Sequence, residues 1–347
     1  MLMTAASGAK KFLWLIVKLA IAFGIVAYLL RNPEELFSCL REFDYLYLIP
    51  AMMVYGSHIF VTAWRWRVLT RILGLELSVG EAVSLTFQGC FFSQVMPGGA
   101  IGGDVIKMGV ISRRSHSGTR MEGAFTVLMD RIIGMIALFV LALVLVPFAV
   151  PLLMRIEVPG IPLNNGIREI LIIALVMLCL AGLAASCVIF FHRVLRRIAF
   201  IDALMNWGDR ISGGMVARLT AATDLYARSW RTLGWLVVIS LFFVHLMTAA
   251  AFALLLWGLG LHFSLFTLAV AVTIGNIAGL IPLFPGGVGA RDLVIVTILA
   301  AGGVAAPDAK SAQLMYTAII LLFNLAGGIF FVCDPGRKHK AVEDKFN

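Results

Sequence analysis

Charge is what this chain has least of: only 14% of its 347 residues are Asp, Glu, Lys or Arg, against roughly 25% in a soluble domain. With 61% apolar residues and a mean hydropathy of +0.97, too little polar surface exists to cover a globule in water. A cytosolic enzyme, a disordered chain and a disulfide-rich secreted module are thereby excluded. Cysteine is scarce as well. Cys39, Cys90, Cys179, Cys187 and Cys333 are odd in number and form no C-x-x-C, so they read as packing residues. The six histidines show neither H-x-x-E-H nor H-E-x-x-H spacing, no acidic cluster resembles a two-metal site, and the glycine-rich stretch lacks G-x-x-x-x-G-K-[ST]. The expectation is no metal, no other cofactor, no ATP hydrolysis and no enzyme activity.

What the chain has is long apolar runs. Runs of about 20 residues exceed the 9 to 11 alternating positions of a barrel strand, which leaves an all-α polytopic bundle. Six full-length runs lie at about 12–30, 45–64, 124–150, 167–191, 233–258 and 312–333. The first follows Lys10 and Lys11 and leads into Arg31-Asn32-Pro33 with no small-x-small site, so an uncleaved span is expected. Two further apolar segments, 82–111 and 264–301, are broken by Pro97-Gly98-Gly99 and Pro285-Gly286-Gly287, where a helix cannot continue. Their halves are too short to cross a core of about 30 Å at about 1.5 Å per residue. Both are expected to be re-entrant, because only then do 20 of the 28 Lys and Arg residues fall on one side, as the positive-inside rule requires. The reading is a single transmembrane domain, 1–347, in a bacterial-type cytoplasmic (inner) membrane, with both termini cytoplasmic.

The breaks repeat at an offset of 188 residues. Pro97-Gly98-Gly99 with Asp104-Val105-Ile106 matches Pro285-Gly286-Gly287 with Asp292-Leu293-Val294, and Gln88 matches Asn276. The flanking spans match in place, giving repeat 1 at about 45–150 and repeat 2 at about 233–333. Entry from opposite faces makes this an inverted repeat, which in transporters puts a substrate site between broken helices. Between the repeats, 192–231 carries apolar residues at helical spacing among arginines. It reads as an amphipathic helix on the inner leaflet, or as a connection whose arginines set topology.

The candidate site follows from these breaks. A half-helix starting at Gly99, Gly102 and Gly103, or at Gly286 and Gly287, offers free N–H groups to an anionic phosphate, and glycine lets a headgroup approach the backbone. Gly98 belongs to the first of these turns. Asp104 and Asp292 fall in the first turn of each half-helix, where capping is the simple alternative. Lys107, one turn beyond Asp104, can pair with it, bind phosphate or snorkel to the surface. Asp130 and Arg131 lie inside a span, so partners in the bundle are expected: Arg291 for Asp130, and Asp104 or Asp292 for Arg131. Glu122, Thr126 and Asp130 recur every four residues as a polar track. Arg65, between Trp64 and Trp66, is an interfacial anchor or a phosphate ligand.

Four segments together resemble a known family: Trp64-Arg65-Trp66-Arg67-Val68-Leu69, the stretch from Gln94 through Pro97-Gly98-Gly99 to Lys107, Asp130-Arg131-Ile132-Ile133-Gly134, and Pro282 through Pro285-Gly286-Gly287 to Arg291-Asp292. They are similar, in order and over most of the chain, to the flippase-like membrane domain of lysylphosphatidylglycerol synthases. Asp130 and Asp292 stand where Glu is more usual, and with only about 14 residues after the last run no aminoacyl-transferase activity is expected. The resemblance implies translocation of a polar or anionic lipid: an aminoacyl-phospholipid, a polyprenyl-phosphate-linked or other glycolipid, or a terpenoid lipid. A membrane-embedded lipid transferase or hydrolase, and a non-transporting partner of a lipid-biosynthetic enzyme, are the alternatives. The expected partners are membrane lipids, not nucleic acid, with a lipid-biosynthetic enzyme or a second copy of the chain as further candidates.

Overall fold

The computed structural model describes residues 41–96, 100–114, 120–158, 162–190, 197, 199–211, 214–280 and 289–333. The expected first span and both Pro-Gly-Gly breaks, with Gly98, Gly99, Gly286 and Gly287, lie outside these residues. The rest is almost entirely helical. A 3-10 turn, Tyr45–Tyr47, leads into α1 (Leu48–Ile72), followed by α2 (Val79–Val95), α3 (Ala100–Arg114), α4 (Arg120–Leu153) and α5 (Asn165–Phe190). After α6 (Ala199–Ile211) and α7 (Met215–Arg228) come α8 (Trp230–Ser240), a π-helical turn (Leu241–Leu246) and α9 (Met247–Gly258). Helices α10 (Leu265–Ala278), α11 (Ala290–Ala301) and α12 (Ala306–Val332) close the described chain.

Among the described residues, five helical stretches are long and apolar enough to cross a membrane: Tyr45–Ile72, Met121–Leu153, Asn165–Phe190, Trp230–Gly258 and Ala306–Val332. Each matches an expected run. The largest extension is at α1, which continues to Ile72 instead of ending near residue 64.

The two broken segments form short helices of 17, 15, 14 and 12 residues. Each pair is an antiparallel hairpin. Gly89 of α2 faces Gly103 of α3, while Gly275 and Gly279 of α10 face Ile295 and Arg291 of α11. A hairpin ends where it began: Ile111 at the end of α3 clusters with Ala82 at the start of α2, and Gly302 after α11 meets Thr267 at the start of α10. The start of α2 is fixed by a capping box, with the Ser78 hydroxyl accepting from the Glu81 N–H and the Glu81 carboxylate accepting from the Ser78 N–H.

The long helices frame these hairpins. Helix α1 runs antiparallel to α8–α9, shown by the Asp44 N–H donating to the Gly258 carbonyl at 2.8 Å, Ser57 to the Met247 sulfur at 3.2 Å and Arg65 to Ser240 at 2.8 Å. It also runs antiparallel to α4, with Arg65 beside Asp130 and the Tyr55–Ile59 end clustered with Val146 and Ala149. Helix α2 of the first half packs along α12 of the second, and α10 of the second half packs along α4 of the first. The first of these crossings is close enough that a Cβ on Gly327 would strike the Phe87 backbone.

The arginine-rich connection folds as two helices, α6 and α7, and exposes Trp207. Tyr226 of α7 ties it to the bundle by donating to the Leu69 carbonyl at 3.0 Å, and burial pushes its hydroxyl pKa up.

Candidate functional site

One polar layer crosses the first half at the level of Asp130, ten residues and thus about 15 Å into α4. Its elements are α1, α3, α4 and the end of α8. Arg65 donates from Nε to an Asp130 carboxylate oxygen at 2.8 Å, from Nη1 to the Ser240 hydroxyl at 2.8 Å and from Nη2 to the Asp130 carbonyl at 3.2 Å. Arg65 and Asp130 are 4% and 5% exposed, so both charges are inside protein and compensate each other. Arg65 is therefore neither an interfacial anchor nor a free phosphate ligand. The expected pairing of Asp130 with Arg291 is corrected too, since a helix's rotation, which decides pairing, is invisible in a hydropathy run.

Arg131 points the other way. Its Nε and Nη2 donate to both oxygens of Asp104 at 2.7 and 2.9 Å, the bidentate geometry of a strong ion pair. This was one of the two expected partners. The pair is more open than its neighbour, with side chains 46% and 18% exposed.

Lys107 stands between these pairs. It is 6% exposed, and its ammonium sits 3.7 Å from the centroid of the Trp66 ring, a cation–π contact. The Trp66 indole N–H donates to the Thr126 hydroxyl at 3.0 Å. Neither Asp104 nor Asp130 is available to Lys107 as a dedicated partner, and no carboxylate of the described residues lies within ion-pair distance of it. The face carrying Glu122, Thr126 and Asp130 is thus partly closed by α1 instead of forming an open track. Among the described residues, Glu122 keeps a buried carboxylate oxygen without a partner, as the Gln94 amide nitrogen does beside the first break.

Gly103 has a different use from the one expected. It backs onto the Gly89 carbonyl and the Ser93 hydroxyl, so the missing Cβ brings α3 against α2 and leaves no room there for a headgroup. Gly102 is buried beside it.

The second half holds a separate polar cluster. Arg291 Nε donates to Asp292 at 2.9 Å, and the Gln313 amide donates to the same carboxylate at 2.8 Å. Thr317 donates to Asp292 at 3.3 Å, and the Gly289 N–H does so at 3.2 Å. Asp292 thus caps α11, as the first-turn position suggested, and is only 1% exposed. Ser240, Gln313 and Thr317 were not anticipated from sequence. The one signal available was an amide and a hydroxyl, four residues apart, inside an otherwise apolar run.

These features define a class: a polytopic helical membrane protein with two broken-helix hairpins, each carrying its own buried charge cluster. Within that class the chain belongs to the family described as the lysylphosphatidylglycerol synthase TM region, whose model matches residues 15–328. It is also similar to two UPF0104 membrane proteins. One, from Pyrococcus horikoshii, is 22% identical over 338 residues, covering 92% of this chain and 96% of the relative. The other, from Methanothermobacter thermautotrophicus, is 23% identical over 333 residues, covering 88% of this chain and 91% of the relative.

Proposed function

We propose that this protein moves a lipid with a phosphate-bearing headgroup between the leaflets and leaves it chemically unchanged. The observation that carries this reading is Lys107, a buried ammonium with no carboxylate of the described residues within ion-pair distance. The layer sets three cations, Arg65, Lys107 and Arg131, against two carboxylates, Asp104 and Asp130; a buried excess of positive charge is costly, and a phosphate balances it. The unpartnered amide nitrogen of Gln94, at the end of α2 beside the first break, gives the phosphate a further donor. The half-open Asp104–Arg131 pair is the side from which a headgroup slides in, while its acyl chains stay in the bilayer.

In this reading the hairpins α2–α3 and α10–α11 are re-entrant from opposite faces, so that the halves form an inverted repeat around the headgroup path. The test is transport by the purified protein in vesicles. Lys107→Gln abolishes movement of a fluorescent phosphatidylglycerol, Lys107→Arg retains part of it, and the lipid recovered from wild type has unchanged mass. Full activity in a folded Lys107→Gln protein overturns the site. A chemically altered lipid overturns transport in favour of a transferase or hydrolase.

A further inference from the structure

A second lipid-sized feature lies away from Lys107. Helices α4, α5, α7 and α8 enclose a slot of about 480 Å³, walled by Ile133, Ile136, Leu183, Cys187, Ala227 and Gly234. Its walls are nearly all apolar. Gly234 helps to make it, because a Cβ built there meets no atom within 4 Å. The slot descends from the elbow at Ser229, where α7 turns into α8, to Val237 two turns further on.

The elbow carries the marks of a headgroup layer. Trp230 at the elbow and Trp235 just over one turn further along α8 are both about two-thirds exposed, as indoles are at a membrane surface. Arg228 and Arg231 are exposed on either side of Trp230, and the Arg231 guanidinium lies 5.4 Å from the Trp230 ring centroid. An apolar slot with guanidinium groups at its mouth has the chemistry of one acyl chain below an anionic phosphate.

We infer that this slot holds one chain of a resident anionic phospholipid, whose phosphate is bound by Arg228 and Arg231. The lipid belongs to the leaflet on the α6–α7 side and wedges α5 against α8. It is distinct from the transported lipid, because no residue lining the slot belongs to α1 or α3, the helices that carry Trp66 and Lys107. The inference therefore does not rest on the proposed transport.

Cys187 lines the slot and reports on it. The full chain with Cys39, Cys90, Cys179 and Cys333 replaced by Ala is placed in bilayer discs of phosphatidylcholine, alone or with an equal amount of phosphatidylglycerol. Alkylation of Cys187 should slow about tenfold with phosphatidylglycerol, the equivalent of ~1.4 kcal/mol. Native mass spectrometry should retain one phosphatidylglycerol per chain. Arg228→Gln with Arg231→Gln should remove the preference between the two lipids, and Gly234→Leu should remove the retained lipid by filling the slot. Lys107→Gln, which disables the proposed transport site, should leave the Cys187 response as in wild type. Equal alkylation in both discs, or a phosphatidylglycerol effect that survives the double arginine variant, overturns the inference.

Discussion

Arg65 and Asp130 carry the largest electrostatic commitment in the first half, because both charges are nearly sealed and each satisfies the other. Removing one leaves its partner charged in a low-dielectric interior, a loss of about 3–5 kcal/mol. Asp130→Leu should therefore lower the detergent melting temperature sharply, and adding Arg65→Met to the same chain should recover part of the loss. If the double variant is no more stable than the two losses added together, the pair is not coupled. For Arg131, the next residue along α4, the sequence offered two first-turn carboxylates, Asp104 and Asp292, and the structure selects Asp104. The Arg65 pairing was not legible, since it joins side chains 65 residues apart through a rotation of α1 that no run of apolar residues encodes. Even its neighbourhood misleads: two tryptophans beside an arginine suggest a membrane surface, yet Trp66 is fully buried while Trp64 is 43% exposed.

Helices were legible where apolarity and helicity coincide, and their ends were misjudged where they do not. Helix α1 outlasts its apolar run because Arg65 is neutralised inside the bundle and the Arg67 Nε donates to the Leu77 carbonyl at 2.7 Å. Charge there ends the hydropathy signal without ending the helix. The glycines divide in a similar way. Composition cannot tell a glycine that makes room for a ligand from one that makes room for a helix, and Gly103 and Gly327 are of the second kind. Overpacking a close contact costs about 1–3 kcal/mol, and more when backbone is the obstacle. Gly103→Val and Gly327→Val should thus lower the yield of monodisperse protein on size exclusion, whereas Gly234→Leu, which points into open space, should leave it near wild type. Comparable behaviour of all three variants would mean that the two helix crossings are looser than described. A smaller effect belongs to the start of α2, where Ser78→Ala removes one half of the capping box and should cost about 1 kcal/mol, read as a modest fall in melting temperature.

The molecule's topology follows from counting directions. Helix α1 is antiparallel to α4, so the hairpin between them leaves from and returns to one end of the bundle. Helix α5 then crosses, α6 and α7 lie at the end where α1 finished, and α8–α9 returns antiparallel to α1. The hairpin α10–α11 therefore starts at the opposite end from α2–α3, and a sequence repeat in the same order becomes a repeat of opposite orientation once the long helices span a bilayer. The 188-residue offset made the repeat legible. Its inversion belongs to the proposed reading and depends on the parity of the crossings, for which the arginine distribution and the antiparallel packing of α1 on α4 and on α8–α9 are the grounds. Single cysteines in an otherwise cysteine-free chain read this parity directly. Glu76→Cys before α2 and Met121→Cys at the start of α4 should react with an impermeant maleimide from one face only, and that face should be the cytoplasm. His262→Cys before α10 and Ala305→Cys before α12 should react only from the other. If positions 76 and 121 label from different faces, the first hairpin crosses the membrane, and the Lys107 site loses the dead-end geometry that makes it a place for a headgroup to stop. If 76 and 262 label from the same face, the halves are parallel, and a path that exchanges a lipid between two mirrored openings has no structural basis.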